Sequence, residues 1–311
     1  MRITMAWRWT LGLATLIATS WLALSWYVAD QFLSIGLKPY SETEEVEVLQ
    51  AANLTRIPRE AITFQNGTVL LAGSFFEHPN PNNCAVILLP GIGGNRTQVL
   101  PALSIFYSQG CHVLAYDPRG TGASSPVLRT FGDFERDDNV QAIEWLAQRT
   151  NLSLDRIGIW GPSFGAAVAL LTLERLPSIG FVIADSTFSD FETVARETIT
   201  QLSHPLLSDL IAPLVLQILE IWTGMNTASI QPQLSIQRAT SPVLLIHAKA
   251  DPAMDLAHSM RVFENRTSPD TLLEITDWGA GHADSAVVDP EAYAALIKSF
   301  FAKYELAHES A

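Results

Sequence analysis

The sequence predicts an α/β domain with a mostly parallel sheet that is covered by helices on both faces. Unbroken apolar runs recur along the chain, and helical patterns separate them. Such runs are typical of strands that are buried on both sides. The strand candidates are 85–89, 111–116, 156–160, 181–184, 242–247 and 272–275, and the helix candidates between and after them are 99–107, 137–148, 255–264 and 291–303.

An antiparallel hairpin is expected before this series. Two β-prone runs, 61–64 and 68–76, flank the pair Asn66-Gly67, which is the strongest short-range hairpin signal. The α/β domain is therefore expected to cover 61–311, with a small helical cap inserted at about 191–241, where the alternation of strands and helices stops. Functional residues are expected on loops at the carboxyl ends of the parallel strands.

The predicted cap has a very broad apolar surface. Ser203-His204-Pro205 is typical of a helix start with proline in the first turn, and apolar residues then dominate as far as Trp222. The surface has three interpretations: packing on the core, a lid over an acyl pocket, or a face that dips into a membrane. Pro213 is expected to break or kink this helix.

Length and charge limit the classes of function. The chain has 311 residues, of which 48% are hydrophobic, and this composition predicts one large globular domain with additions. Its 32 acidic and 19 basic residues give a net charge of −13. A surface of this sign repels phosphate backbones, so nucleic-acid binding is not expected.

The N-terminus is expected to be a single membrane anchor over 1–30. Residues 9–29 carry no charge, and about 20 apolar residues span a bilayer as a helix. Arg2 and Arg8 precede the run, which favours an extracytoplasmic catalytic domain. A cleaved signal peptide is the alternative, and the protein would then be secreted. Residues 31–60, with the acidic stretch 41–47, are expected to form a solvated linker.

The segment Gly161-Pro162-Ser163-Phe164-Gly165 directly follows a strand candidate and precedes a helix rich in small residues. The G-x-S-x-G pattern in this setting is typical of a nucleophile elbow, in which the serine adopts a strained backbone and glycines allow close approach on both sides. Ser163 is therefore the candidate nucleophile. The following helix directs its N-terminus at the site where negative charge would develop.

A serine nucleophile needs a histidine base and a carboxylate that orients the base. His282 lies in a glycine-containing loop after the last strand candidate, and Asp251 follows the strand 242–247. The order Ser163, Asp251, His282 matches the chain order expected for an elbow nucleophile. Asp185, at the end of the strand 181–184, is the rival for the acid.

The oxyanion of an acyl-transfer reaction needs two N–H donors. One is expected from Phe164, which follows the nucleophile. The other is expected from Ile92 in the loop Pro90-Gly91-Ile92-Gly93-Gly94-Asn95, with Gly91 and Gly93 as alternatives in register. This loop lacks the spacing of the common nucleotide-binding motifs.

These motifs resemble those of the α/β-hydrolase superfamily, in particular the serine aminopeptidase and monoacylglycerol-lipase-like branch and its single-span, membrane-anchored members. The resemblance covers about 61–303, and it includes the loop Asp117-Pro118-Arg119-Gly120-Thr121-Gly122-Ala123-Ser124, which is expected to brace the oxyanion side. Pro90 and Pro162 stand at positions where other residues are frequent in the superfamily, so the motifs do not assign the chain to one branch.

The motifs and the resemblance together imply a serine hydrolase that cleaves carboxylic esters, with lipid or acyl esters among the candidate substrates, through an acyl-enzyme. No cofactor or metal is implied. The alternatives are a peptidase or amidase of the same fold, or a non-catalytic binding protein. Cys84 and Cys111 each begin a strand candidate. Two buried thiols are the favoured interpretation, although a disulfide is conceivable.

Overall fold

The structure is a computed structural model that describes residues 2–34, 39–202 and 205–307. The chain divides into two compact units, Met1–Ile35 with Phe191–Ala228 and Gly36–Asp190 with Ser229–Ala311. We call the first the helical unit and the second the sheet unit. The residues predicted as a cap are divided between them, because those from Ser229 onward pack with the sheet unit.

The sheet unit is built on a sheet of eight strands. These are β1 (Glu60–Asn66), β2 (Val69–Phe76), β3 (Cys84–Leu88), β4 (Cys111–Tyr116), β5 (Ile157–Pro162), β6 (Phe181–Asp185), β7 (Val243–Ala248) and β8 (Thr271–Thr276). Their spatial order is β1-β2-β4-β3-β5-β6-β7-β8. The first two pairings are antiparallel and the others are parallel. The predicted α/β class and the hairpin at Asn66-Gly67 are therefore confirmed.

The described α-helices are α1 (Arg2–Ser34), α2 (Glu42–Ala51), α3 (Leu103–Tyr107), α4 (Glu135–Thr150), α5 (Phe164–Thr172), α6 (Phe191–Leu202), α7 (Pro205–Thr223), α8 (Pro232–Ser235), α9 (Leu256–Glu264), α10 (Ser285–Val288) and α11 (Pro290–Tyr304). The helix predicted over 99–107 differs in its first half. It begins as a 3-10 helix, Arg96–Ala102, which contains Pro101, and becomes α-helical only at Leu103.

Hydrophobic cores cover both faces of the sheet. Alternate strand residues such as Ile87 and Ile159 pack with α4, α5 and α9 in one cluster. Their neighbours Leu88 and Trp160 pack with α3 and α11 in the other cluster. Because both faces are buried, every residue of β3 to β7 is buried, which explains why these strands are apolar runs without alternation.

The predicted linker 31–60 is not a solvated spacer throughout. Residues 42–51 form α2, and the carboxylate of Glu45 within it is fully buried. This carboxylate accepts hydrogen bonds from Arg59 Nη1 at 2.6 Å, from the Ser74 hydroxyl at 2.5 Å and from the Tyr40 hydroxyl at 2.5 Å. Ser74 on β2, Arg59 just before β1 and Tyr40 just before α2 thus satisfy a buried charge and attach α2 to the sheet.

Cys84 and Cys111 form a disulfide, so the favoured interpretation as two free thiols is wrong. The two residues are directly paired at the starts of the parallel strands β3 and β4, with Cα atoms 4.7 Å apart. The register between β3 and β4, which the sequence pattern does not determine, places the two side chains next to each other. The bridge is fully buried in the sheet unit.

The helical unit contains α1, α6 and α7. Residues 9–34 of α1 are long and apolar enough to cross a membrane. The predicted helix start at Ser203 and His204 lies outside the described residues, and α7 is described from Pro205. The helix continues through Pro213 to Thr223, so the expectation of a break at this proline is wrong, and the alternative expectation of a kink stays a prediction.

Candidate active site

The turn between β5 and α5 has the geometry of a nucleophile elbow. Ser163 has a φ of +52°, a conformation that is strained for a residue with a side chain. A Cβ atom on Gly165 would meet the carbonyl oxygen of Leu89, and one on Gly161 would lie 2.6 Å from the Gly165 carbonyl carbon. Glycine is therefore required at both flanking positions, as the sequence predicts.

The structure brings the three predicted triad residues together. Ser163 Oγ lies 2.7 Å from His282 Nε2, and His282 Nδ1 lies 2.8 Å from Asp251 Oδ2. Ser163 follows β5, Asp251 follows β7 and His282 follows β8, each beyond the carboxyl end of its strand. The parallel order of the strands thus assembles side chains that are far apart in the sequence.

The Asp251 carboxylate is held in one orientation. Its Oδ1 accepts the N–H groups of Ala253 and Met254, each at 2.9 Å, and leaves Oδ2 for His282. Burial opposes ionisation, but the hydrogen bonds from His282, Met254 and Ala253 outweigh it and lower the pKa of Asp251 below its ordinary value. Asp251 is therefore ionised at neutral pH.

His247 supports the loop that carries the acid, and sequence reasoning missed it. Its Nε2 lies 3.0 Å from the Met254 carbonyl oxygen, so Nε2 carries the proton, and its Nδ1 lies 2.8 Å from the Ser259 hydroxyl. Burial lowers the pKa of His247. The neutral imidazole of His247 thus fixes the loop that carries Asp251. Because His247 lies inside β7, no sequence motif indicated this role.

Asp185 occupies a different environment from Asp251. It is fully buried at the end of β6, where the Ser186 hydroxyl donates to it at 3.0 Å and the Tyr293 hydroxyl is also hydrogen-bonded to it. Burial raises its pKa to about 6. Both ring nitrogens of His282 are already engaged by Ser163 and Asp251, which favours Asp251 as the acid.

The loop after β3 holds the second oxyanion candidate. Ile92 lines the same cavity as Ser163. The Gly91 N–H is occupied, because it donates to Gln98 Oε1 at 2.8 Å, and this removes Gly91 as an alternative donor. Phe164 begins α5, and the first N–H of a helix has no partner within the helix. The assignment of Ile92 and Phe164 as donors stays a prediction.

Gln98 is a further residue at this loop that the sequence did not reveal. Besides accepting from Gly91, its side chain lies where a Cβ on Gly94 would be. Asp117 holds the same region from the other side by accepting the Arg96 N–H and the Ala123 N–H, each at 2.8 Å. The structural role expected for the Asp117 loop is thus confirmed.

A cavity of about 270 Å³ opens at Ser163 and His282 within the sheet unit. Most of its other lining side chains are apolar, among them Ile92, Val99, Pro101, Ala102, Trp160, Pro162 and Val287. Across residues 2–34, 39–202 and 205–307, no group of three or more His, Cys, Asp or Glu side chains is arranged to hold a metal ion.

Fold and site together define a serine hydrolase with the α/β-hydrolase fold. The chain belongs to the prolyl oligopeptidase family, whose model matches residues 98–305. It is 29% identical over 225 residues to the uncharacterized protein YqkD of Bacillus subtilis, and the alignment covers 72% of each chain.

Two solved structures share the fold. An esterase of Pyrococcus furiosus aligns with a TM-score of 0.66 at 23% identity, over 82% of this chain and 93% of its own. An acylaminoacyl peptidase of Pyrococcus horikoshii aligns with a TM-score of 0.62 at 18% identity, over 82% of this chain but 42% of its own. The resemblance to α/β-hydrolases inferred from the motifs is therefore confirmed.

Proposed function

We propose that this protein hydrolyses carboxylic esters through an acyl-enzyme on Ser163. The observation that carries the proposal is the continuous path of short hydrogen bonds from Asp251 through His282 to Ser163 Oγ, at 2.8 Å and 2.7 Å. His282 Nε2 takes the hydroxyl proton as Oγ attacks the carbonyl carbon, and Asp251 stabilises the resulting imidazolium.

The remaining steps use the same groups. The N–H groups of Phe164 and Ile92 stabilise the oxyanion of the tetrahedral intermediate. When the intermediate collapses, the ester C–O bond breaks and His282 returns its proton to the departing alcohol. Water then attacks the acyl group on Ser163 with His282 again as the base, which releases the carboxylic acid and restores the hydroxyl.

The cavity favours small, apolar acyl groups. Its volume of about 270 Å³ lies near the lower end of the roughly 300–1,000 Å³ of ligand pockets. Its lining offers Ile92, Val99 and Trp160 beside the nucleophile. Short-chain acyl esters are therefore the proposed substrate class, and the net charge of −13 disfavours anionic substrates.

Peptide bond cleavage is the second candidate function. The family match and the similarity to an acylaminoacyl peptidase favour it, and the same triad cleaves amides. Turnover of p-nitrophenyl acetate, butyrate and palmitate is compared with turnover of peptide p-nitroanilides, and Ser163→Ala and His282→Ala serve as controls. We expect acetate and butyrate to be the best substrates. Efficient cleavage of peptides with no hydrolysis of any ester would refute the esterase proposal.

The working site of the enzyme is proposed to be the extracytoplasmic face of a membrane, with α1 as the anchor. Helix α1 has the length and hydropathy of a membrane span, and the buried Cys84–Cys111 disulfide is typical of an oxidising compartment. Proteinase added to intact cells or spheroplasts should digest the sheet unit, and its full protection would contradict this orientation. A mature N-terminus within residues 19–30 would instead indicate a cleaved signal peptide.

A further inference from the structure

Helix α7 presents an uncharged stripe to its surroundings. Leu210 is 62% exposed and Ile221 is 74% exposed, and the exposed positions between them on the same side are Pro213 and Gln217. A helix on a protein surface in water normally carries charged residues on its outer side. Gln217 is the polar member of this stripe, and the exposed apolar side chains of Leu210 and Ile221 indicate contact with another apolar phase.

Helix α6, in the same unit, provides a direct contrast. Its buried positions Phe191, Ala195 and Ile199 are apolar, and its exposed positions include Glu192 and Glu197. This is the ordinary pattern of an amphipathic helix whose outer face contacts water. Within the helical unit, α7 therefore shares an uncharged outer face with α1, and α6 does not.

The two charged residues of α7 are both paired. Asp209 lies 3.6 Å from Arg196 of α6. Glu220 accepts hydrogen bonds from the Thr227 N–H at 3.0 Å and from the Thr227 hydroxyl at 2.7 Å. Pairing lowers the cost of bringing a charge close to lipid. Glu220 is therefore engaged within the helical unit, whereas the Asp209 side chain is 90% exposed and must face water or the lipid headgroups.

Helix α7 also packs against α1, the helix that can cross a membrane. Trp222 of α7 makes an edge-to-face contact with Trp26 of α1, with ring centroids 4.4 Å apart. At the other end of α7, Leu207 borders an apolar crevice of about 300 Å³ that α1 lines from Leu16 to Leu24. The exposed apolar surface of α7 is thus continuous with that of α1.

Aromatic residues indicate where the membrane surface crosses this pair of helices. Trp26 and Tyr27 of α1 are exposed, and Trp and Tyr concentrate at membrane–water interfaces. Trp9 and Trp26 lie about 26 Å apart along a helix with a rise of about 1.5 Å per residue, close to the hydrocarbon thickness of about 30 Å. Trp26 therefore marks one interface, and its partner Trp222 lies at the same level.

We propose that α7 lies in the surface layer of the bilayer beside α1, with the stripe from Leu210 to Ile221 in contact with lipid. This inference rests on the proposed membrane anchor. The helical unit then has two points of contact with the bilayer, one helix that crosses it and one that is embedded in its interface. A domain held only by a single flexible anchor would instead keep α7 in water.

Lipid contact is measured with single-cysteine variants of the full chain. The disulfide between Cys84 and Cys111 is fully buried, so an introduced cysteine is labelled selectively by an environment-sensitive fluorophore under non-reducing conditions. Leu210→Cys and Ile221→Cys report on α7, Leu13→Cys reports on the exposed apolar part of α1, and Leu128→Cys is the matched control on the sheet unit, where that leucine is 48% exposed.

Each labelled protein is reconstituted into three kinds of phosphatidylcholine vesicle. One contains no quencher, one contains lipid with a nitroxide near the headgroup, and one contains lipid with a nitroxide deep in the acyl chain. We expect quenching at Leu210 and Ile221 to clearly exceed that at Leu128. Quenching at both α7 positions no stronger than at Leu128, with Leu13 quenched by lipids labelled deep in the acyl chain, would overturn the inference and leave the anchor intact. A Leu13 probe that no lipid quencher reaches would refute the anchor itself. Fluorophosphonate labelling of Ser163 in each variant checks that the fold is retained.

Discussion

Replacing Asp251 by asparagine should disable the base without disturbing its position. Oδ1 of Asp251 accepts the N–H groups of Ala253 and Met254, and an asparagine carbonyl oxygen can accept the same two bonds. The asparagine NH₂ group must then face His282 Nδ1. An N–H donor at this position forces Nδ1 to become an acceptor, so the proton moves to Nε2 and points at Ser163.

The size of the effect follows from this exchange of tautomers. An imidazole protonated on Nε2 cannot accept the hydroxyl proton of Ser163, and a change of this kind in another serine hydrolase lowers kcat by about 10⁴-fold. That factor corresponds to about 5.4 kcal/mol of transition-state stabilisation. KM should change far less, because Asp251 lies behind His282 and does not line the cavity.

The assay is steady-state hydrolysis of p-nitrophenyl acetate by the wild type, Asp251→Asn and the control Asp185→Asn. Circular dichroism of each protein checks the fold. We expect Asp251→Asn to lose activity by about 10⁴-fold and Asp185→Asn to retain most of it. The reasoning would be refuted if Asp251→Asn kept activity within tenfold of the wild type. A large loss in Asp185→Asn alone would make Asp185 the acid.

Three further predictions concern groups around the site and the core. Gln98→Leu leaves the Gly91 N–H without its acceptor, which costs about 1–3 kcal/mol. Because Gln98 also lines the cavity, kcat/KM should fall, and Gln98→Glu should restore it; equal kinetics for both variants would contradict this. The Cys84–Cys111 disulfide closes a separation of 27 residues, so its loss in Cys84→Ala should lower the free energy of unfolding by about 2–4 kcal/mol, measured as a lower thermal unfolding midpoint. If both cysteines of the unfolded wild-type protein are alkylated without prior reduction, the bridge is disproved. The pKa of Asp185 is about 6 in the folded protein against 3.8 for the free group, so between these two pH values the folded state binds more protons than the unfolded state. The free energy of unfolding should therefore decline by about 3 kcal/mol as the pH rises from below 3.8 to above 6. Asp185→Asn should lack that part of the pH dependence, and an unchanged slope would exclude Asp185 as its source.

The parts of the site that could be predicted are those fixed by local backbone geometry. Gly161 and Gly165 are needed because any side chain there would collide with backbone atoms, so the elbow is visible as a short motif. Asp251 and His282 follow strands, and the parallel sheet places the ends of these strands beside Ser163. All three triad residues could therefore be proposed from short motifs and from their positions after strands.

The parts that were missed depend on contacts between distant segments. The sequence suggested that Glu45 is one of several solvated acids, but it is fully buried in the sheet unit and accepts hydrogen bonds from Arg59, Ser74 and Tyr40. Gln98 accepts from Gly91 only because a 3-10 helix turns its side chain back toward the loop. Polar residues of this kind acquire their environment from tertiary packing, and a sequence pattern does not contain it.

Covalent labelling of the nucleophile is the most direct test of the account. The full chain, extracted in detergent, is treated with a fluorophosphonate and digested, and the modified peptide is identified by mass spectrometry. We expect one adduct on Ser163, its loss in Ser163→Ala, and much slower labelling in His282→Ala because the base is absent. A folded wild-type protein that forms no adduct on Ser163 would contradict the central claim that this serine is an activated nucleophile.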